Sequence, residues 1–178
     1  TATAGIEIEC QPETTIEVLI PVDLDRSGLG TLRDLAQPVA DSQNALRLTV
    51  ARALLSEHAP RVRLLCNDPN RTIDLLGSLA AHPRVVIESA QLNRERSGRL
   101  GAARAFAAQS WRGGPGGLTC YDEVFDPVLI DRVMQAHQLT AAVLVGPDWA
   151  LVDPALLDAV IERHLEAPAQ RPVTFTQA

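Results

Sequence analysis

The sequence predicts an α/β fold, a mostly parallel sheet with helices packed on both faces, and three observations lead to it. Four short, largely apolar runs recur along the chain, at residues 18–22, 62–66, 84–87 and 141–145. Strands read this way when both faces of a sheet are covered. Between the runs, apolar residues fall three or four apart, which is the helical period. Three of the helical stretches open on aspartate followed by proline, at Asp68-Pro69, Asp126-Pro127 and Asp153-Pro154. The aspartate caps the first turn, and the proline occupies the position where a missing N–H costs nothing. Strand and helix alternate without an internal repeat, so crossover connections and a three-layer α/β/α architecture follow.

Taken in order, residues 1–15 are small and polar, with an alternating Ile6, Glu7, Ile8, Glu9 patch, and read as an N-terminal arm. The domain then runs over residues 16–178. Its first strand rests on Val18, Leu19, Ile20 and Val22, with Asp23 and Asp25 at the carboxyl end. A glycine-bearing loop follows, from Arg26 through Gly28 and Gly30 to Arg33. A helix is expected to begin near Asp41 or Ser42, with Leu46, Val50 and Leu54 on its inner face. The second strand covers 62–66, and the helix after Asp68 carries Ile73, Leu76 and Leu79. The third strand, at 84–87, leads into a polar loop with Arg94, Glu95, Arg96 and Ser97, then a helix through Leu100, Ala103 and Phe106. Gly113, Gly114, Pro115, Gly116 and Gly117 form the strongest break in the chain, a linker or a lid. The helix from Asp126 presents Leu129, Ile130, Val133 and Met134. After the strand at 141–145 comes a turn with Asp148, and the helix from Asp153 presents Leu156, Leu157, Val160, Ile161 and Leu165. A final strand is expected at 173–176. The chain reads as a piece cut from a longer protein, so other domains of a parent chain are candidate partners.

Composition narrows the function classes. The chain has 178 residues, 46% hydrophobic and 21% charged, which is ordinary for a folded α/β domain. Its net charge is -6 and it has no basic tract, so nucleic acid is not the expected partner. All 16 basic residues are arginine. Lysine, a common phosphate ligand, is absent from the sequence. Cys10, Cys66 and Cys120 are too few and too scattered for a zinc site or a disulfide framework, and they fit a reducing, cytoplasmic setting. No apolar run reaches membrane-spanning length, and no signal-peptide pattern is present, so no membrane partner is expected. His58, His82, His137 and His164 have no ligand spacing and read as surface residues.

Two places carry candidate chemistry. A glycine loop after a first strand brings backbone N–H groups close to phosphate. Asp148 lies just past the strand at 141–145, at the sheet edge where open α/β folds bind ligands. There it is either a Mg²⁺ ligand or a turn cap. Trp149 beside it could stack on a base or serve as core.

The run Gly28-Leu29-Gly30-Thr31-Leu32-Arg33, then Gln37-Pro38-Val39, then Leu46, Thr49, Val50 and Arg52, resembles the opening of the nucleotidyltransferases with the glycosyltransferase-A-like fold. These are the sugar-nucleotide pyrophosphorylases and cytidylyltransferases. The segment from Asp148 through Leu151-Val152-Asp153-Pro154 resembles their metal-aspartate segment. The resemblance implies a Rossmann-like, nucleotide-diphospho-sugar transferase-like fold, with an NTP or sugar nucleotide as partner. It further implies a nucleotide site at Gly28, Gly30, Thr31, Arg33 and Arg96, and Mg²⁺ held by Asp148.

Departures from the family pattern bear on catalysis. The family's two lysines fall on Gln37 and near Gln43, and its loop arginine is displaced to Arg33. Attack on an α-phosphate builds negative charge that cations must offset. Only arginines, among them Arg26, Arg33, Arg94, Arg96 and Arg99, are left to do so. The expected function is therefore a nucleotidyltransferase-like domain that binds nucleotide with Mg²⁺ and has doubtful transfer activity. The alternative is a non-catalytic binding or scaffolding module of a larger protein. A glycosyltransferase using Asp23-Leu24-Asp25 as its acidic pair fits less well, because that pair follows the first strand instead of lying in mid-domain.

Overall fold

The computed structural model describes residues 15–24, 35–93 and 126–166, with 95, 98, 99 and 102 of the stretch between. In chain order the elements are β1 (Ile16–Val22), a hairpin of β2 (Pro38–Ala40) and β3 (Gln43–Asn44), α1 (Ala45–Ala53), β4 (Val62–Cys66) and α2 (Pro69–Leu76). A short 3₁₀ turn (Gly77–Ala81) leads to β5 (Val85–Ser89), and α3 (Pro127–His137), β6 (Ala141–Leu144) and α4 (Pro154–Leu165) follow. Four of the strands form one parallel sheet in the order β5-β4-β1-β6. The four apolar runs are thus neighbouring parallel strands, as expected.

Alternation along the strands divides the core into two layers. Val18, Ile20, Val22, Val62, Leu64 and Cys66 pack on one face with Leu46 and Val50 of α1, Leu76 of α2, and Leu157 and Ile161 of α4. Leu19 and Leu65 point the other way, against Leu129, Ile130 and Val133 of α3. Helices therefore cover both faces, and all seven residues of β1 are buried.

All three aspartate–proline starts cap as expected. Asp68 accepts from the Arg71 amide, Asp126 from those of Val128 and Leu129, and Asp153 from that of Ala155.

Four expectations are corrected. Asp41 and Ser42 do not start a helix; with φ of 47° and 62° they form the left-handed tip of the β2–β3 hairpin. Both residue types cap helices, but aspartate also tolerates left-handed backbone, and a turn with positive φ at both central positions is the common hairpin solution. The cap is Asn44, whose side-chain oxygen accepts from the Arg47 amide at 2.8 Å. Second, Ile73 and Leu156 are 43% and 49% exposed, because α2 and α4 turn Thr72, Leu76, Leu157 and Ile161 inward instead. Third, β6 is half-buried along its length, since it pairs only with β1 among the described residues. Fourth, of the histidines expected at the surface, His58 and His137 are exposed but His82 and His164 are half-buried.

His137 belongs to a charged cluster on the α3 face of the sheet. Arg63 of β4 donates through Nε to Glu17 of β1 at 2.7 Å and through Nη1 to Glu88 of β5 at 2.7 Å. The His137 Nε2 lies 2.9 Å from the same Glu88 oxygen. The Glu17 and Arg63 side chains are only 3% and 4% exposed. Burial alone would lower the Arg63 guanidinium, but its hydrogen bonds to both glutamates outweigh this and raise it above its ordinary value.

A second polar tie joins α4 to the segment after α1. Asp158 accepts from the Ser56 hydroxyl and from the amides of Glu57 at 3.1 Å and His58 at 3.2 Å. Burial works against the charged carboxylate, but these hydrogen bonds prevail and hold it below the usual carboxylate range. A depressed carboxylate contributes stability that is present above its unfolded pKa and lost as pH falls through the folded value. Asp158→Asn should therefore cost about 1 kcal/mol at neutral pH, solvent screening limiting the loss. Urea melts of both proteins should differ equally at about pH 7 and pH 5 and converge below about pH 4. A difference that persists unchanged into acid would rule out the charged hydrogen bonds as its source.

Candidate functional site

The strand order defines a crevice. From β1 the chain steps to β4 and then to β5, and it later returns to the opposite side of β1 as β6. The direction reverses between β1 and β6, and ligands of open α/β sheets bind at such a switch point, beyond the carboxyl ends of the strands. The pairing Leu19↔Leu144, continued by the Val145 amide donating to the Leu19 carbonyl at 3.1 Å, sets the two strand ends side by side. From β1 the chain leaves through Asp23 and Leu24. From β6 it leaves through Val145, Gly146 and Pro147 to Asp148.

The segment carrying Asp148 is built from successive local contacts. The Trp149 amide donates to the Gly146 carbonyl at 3.3 Å, and the Val152 amide donates to the Trp149 carbonyl at 2.9 Å. The Trp149 indole lies directly over Gly146, where a Cβ would sit 2.7 Å from its Cδ1 and 2.8 Å from its Cε2. Trp149 also packs, with Val152, against the core layer beneath α1 and α4. Only glycine fits at position 146 with the ring so placed. From α1, the Arg52 Nε donates to the Val152 carbonyl at 2.6 Å.

Of the expected site residues the structure positions Asp148, which is half-buried at the turn after β6. Gly28, Gly30, Thr31, Arg33 and Arg96 lie outside the described residues, as do Arg26, Arg94 and the glycine-rich break at 113–117. Gln37 is exposed just before the hairpin, and Gln43 is half-buried in β3. Arg99 makes an exposed ion pair with Glu95 one helical turn away. Among the described residues, Asp148 follows β6 and Asp23 follows β1 at the two strand ends that border the crevice. Hard carboxylate oxygens on adjoining loops suit Mg²⁺, which takes one or two protein carboxylates and fills its shell with substrate phosphates and water. Among the described residues no group of three or more His, Cys, Asp or Glu side chains is arranged to hold a metal by itself.

Two features of this region were not anticipated. Asn67, directly after β4, accepts from the Leu92 amide at 3.0 Å and so links the loops that follow β4 and β5. Cys66 at the end of β4 is a buried free thiol that burial pushes up, so it is held as the unreactive thiol. An asparagine just past a buried strand is a visible signal for a loop tie, but its partner is not visible from sequence.

No protein-family model and no curated protein matches the chain. Solved structures do match at the level of the α/β fold, two of them as follows. One is a cytidylyltransferase from Leptospira borgpetersenii serovar Hardjo-bovis, with a TM-score of 0.51 and 16% identity over 86% of this chain and 50% of the other. Another is CMP:2-keto-3-deoxy-manno-octonic acid synthetase complexed with CTP, with a TM-score of 0.51 and 13% identity over 88% of this chain and 49% of the other. The chain thus spans about half the length of the solved structures it matches. Among the described residues no helix is long and apolar enough to cross a membrane.

Proposed function

We propose that this chain is a nucleotidyltransferase-like domain that binds an NTP or sugar nucleotide with Mg²⁺ at the crevice between β1 and β6, without nucleotidyl transfer. The observation that carries the reading is the switch point itself: two acid-bearing loops leave adjacent parallel strands at the edge where such folds take ligands. Support for a nucleotide comes from the glycine loop that follows β1 and from the fold shared with a synthetase solved with CTP. In this reading Asp148 holds the metal, with Asp23 beside it, and Gly28, Gly30, Thr31, Arg33 and Arg96 hold phosphate. Mg²⁺ would supply charge neutralisation at the phosphates. The residues of the chain bind and orient the nucleotide.

Support for binding without transfer comes from the absent lysines. Gln37 and Gln43 stand where the resemblance calls for cations, and a neutral amide cannot stabilise the charge that grows on the α-phosphate. The few, scattered cysteines fit a cytoplasmic protein, and a role as the nucleotide-binding part of a larger chain fits the half-length match.

Thermal or denaturant melts with CTP, UTP, GTP and ATP, with and without Mg²⁺, test the proposal. A ligand at a hundred times its Kd should add about 2.7 kcal/mol of stability. Asp148→Ala should abolish the Mg²⁺-dependent part of that stabilisation. Should Asp148 be only a turn cap, the same substitution costs about 0.5–2 kcal/mol and any ligand effect survives. Pyrophosphate release from an NTP with a sugar phosphate, lost in Asp148→Ala, would replace this reading with a working transferase.

A further inference from the structure

The loop that carries Asp148 is anchored at one end by the strand ladder and at the other by a side chain from a different helix. On the strand side, the Val145 amide bonds to β1. On the helix side, the Arg52 Nε–H reaches across from the last turn of α1 to the Val152 carbonyl, over 100 residues of sequence, at 2.6 Å. Between these points the chain is a relay of short links, Gly146 to Trp149 and Trp149 to Val152, with the indole seated on the Gly146 backbone. The two ends of the segment, Val145 and Val152, are thereby tied to β1 and to α1. Along the chain, α1 follows directly on the β2–β3 hairpin. A shift of α1 relative to the sheet would move the Val152 carbonyl, and through it the turn with Asp148.

We infer that Arg52 is a positioning residue for the proposed metal and nucleotide site. It sets the loop that bears Asp148 from outside, through the Val152 carbonyl, without itself touching the ligand. This inference rests on the nucleotide reading above. An arginine suits the task because Nε–H is a single donor fixed in a rigid plane, and the stem of the side chain packs along the helix. A supporting residue of this kind acts on the metal more than on the fold, since its partner is a backbone carbonyl that water can satisfy when the arginine is removed.

The test uses Arg52→Met, which keeps the stem and removes the donor, with Arg52→Lys as the conservative variant. In a Trp111→Phe background, Trp149 is the remaining tryptophan and reports the loop by acrylamide quenching. Arg52→Met should quench more readily than the parent and unfold cooperatively at a similar temperature. Its affinity for CTP in the presence of Mg²⁺ should fall roughly 10–100-fold, as loss of an outer-shell partner does at metal sites. CTP binding without Mg²⁺ should change little, and Arg52→Lys should recover part of the Mg²⁺-dependent affinity. Unchanged quenching, or an equal loss of affinity with and without Mg²⁺, would overturn the positioning role. If the parent protein binds none of the four NTPs with Mg²⁺, the nucleotide reading falls and this inference falls with it. If the parent binds and Arg52→Met binds equally well, the inference alone falls.

Discussion

Replacing Arg63 with methionine should destabilise the protein by about 3–5 kcal/mol, the usual consequence of stranding a buried charge. The side chain is 4% exposed and serves two carboxylates at once, Glu17 and Glu88. Without it, the partner left to Glu17 among the described residues is Arg61, at 3.6 Å and more than half in solvent. A carboxylate 3% exposed then either stays charged without an adequate partner or takes up a proton. The loss should be nearly independent of salt, because the pair is sheltered from mobile ions. The double variant Glu17→Leu/Arg63→Met should be markedly more stable than Arg63→Met alone, since a buried pair replaced by apolar groups no longer leaves a stranded charge. Denaturant melts of the two singles and the double close the cycle. A loss under about 1 kcal/mol for Arg63→Met, or a double no better than the single, would mean that water reaches Glu17.

Gly146→Ala should cost about 1–3 kcal/mol, the range for forcing an extra carbon into a packed site. The added methyl falls on the ring of Trp149, which is rigid and held from behind by the core layer under α1 and α4. The ring must therefore leave its seat or the turn must open, and either displaces the chain next to Asp148. Nucleotide stabilisation should fall in the same variant by more than the loss of folded protein explains. Combining Gly146→Ala with Trp149→Ala removes the collision, so the double should lose less than the sum of the singles. Strict additivity would show that the indole is free to move aside.

The parts legible in the sequence are those decided locally. An aspartate followed by proline caps its own helix with its own carboxylate, so Asp68, Asp126 and Asp153 could be placed without any knowledge of the rest of the chain. The strands were legible because burial on both faces leaves few residue types available. The hairpin at Asp41 and Ser42 was not, because the same residues suit a helix cap and a left-handed turn, and the choice is made by what Asn44 reaches, the Leu75 carbonyl at 2.9 Å on α2. The charged cluster was hidden for a related reason. Glu17, Arg63 and Glu88 are single charges in three apolar strands, and only the register that pairs Leu19 with Arg63 and Leu65 with Glu88 brings them together. One opposite charge near the start of each of two buried strands was the available hint. At the site, Asp148 was legible as an acid past a strand end, whereas Gly146 under Trp149 and the reach of Arg52 to Val152 are tertiary facts.

The position of β1 in the sheet bears on how the chain is made. Among the described strands of the sheet it comes before its partners β4 and β6 in the chain and is buried at every position, yet one of its two edges is closed by β6. The contact between Thr140 and Thr15 where that pairing begins spans 125 residues. Until the ribosome has released the chain through residue 144, β1 can pair with β4 but keeps its other row of backbone groups open, flanked by some of the most apolar side chains of the molecule. Such an edge invites strands from other nascent chains. The strand at the heart of the finished domain is thus its point of greatest exposure during biogenesis, and the interval between β5 and β6 is when a chaperone has most to shield.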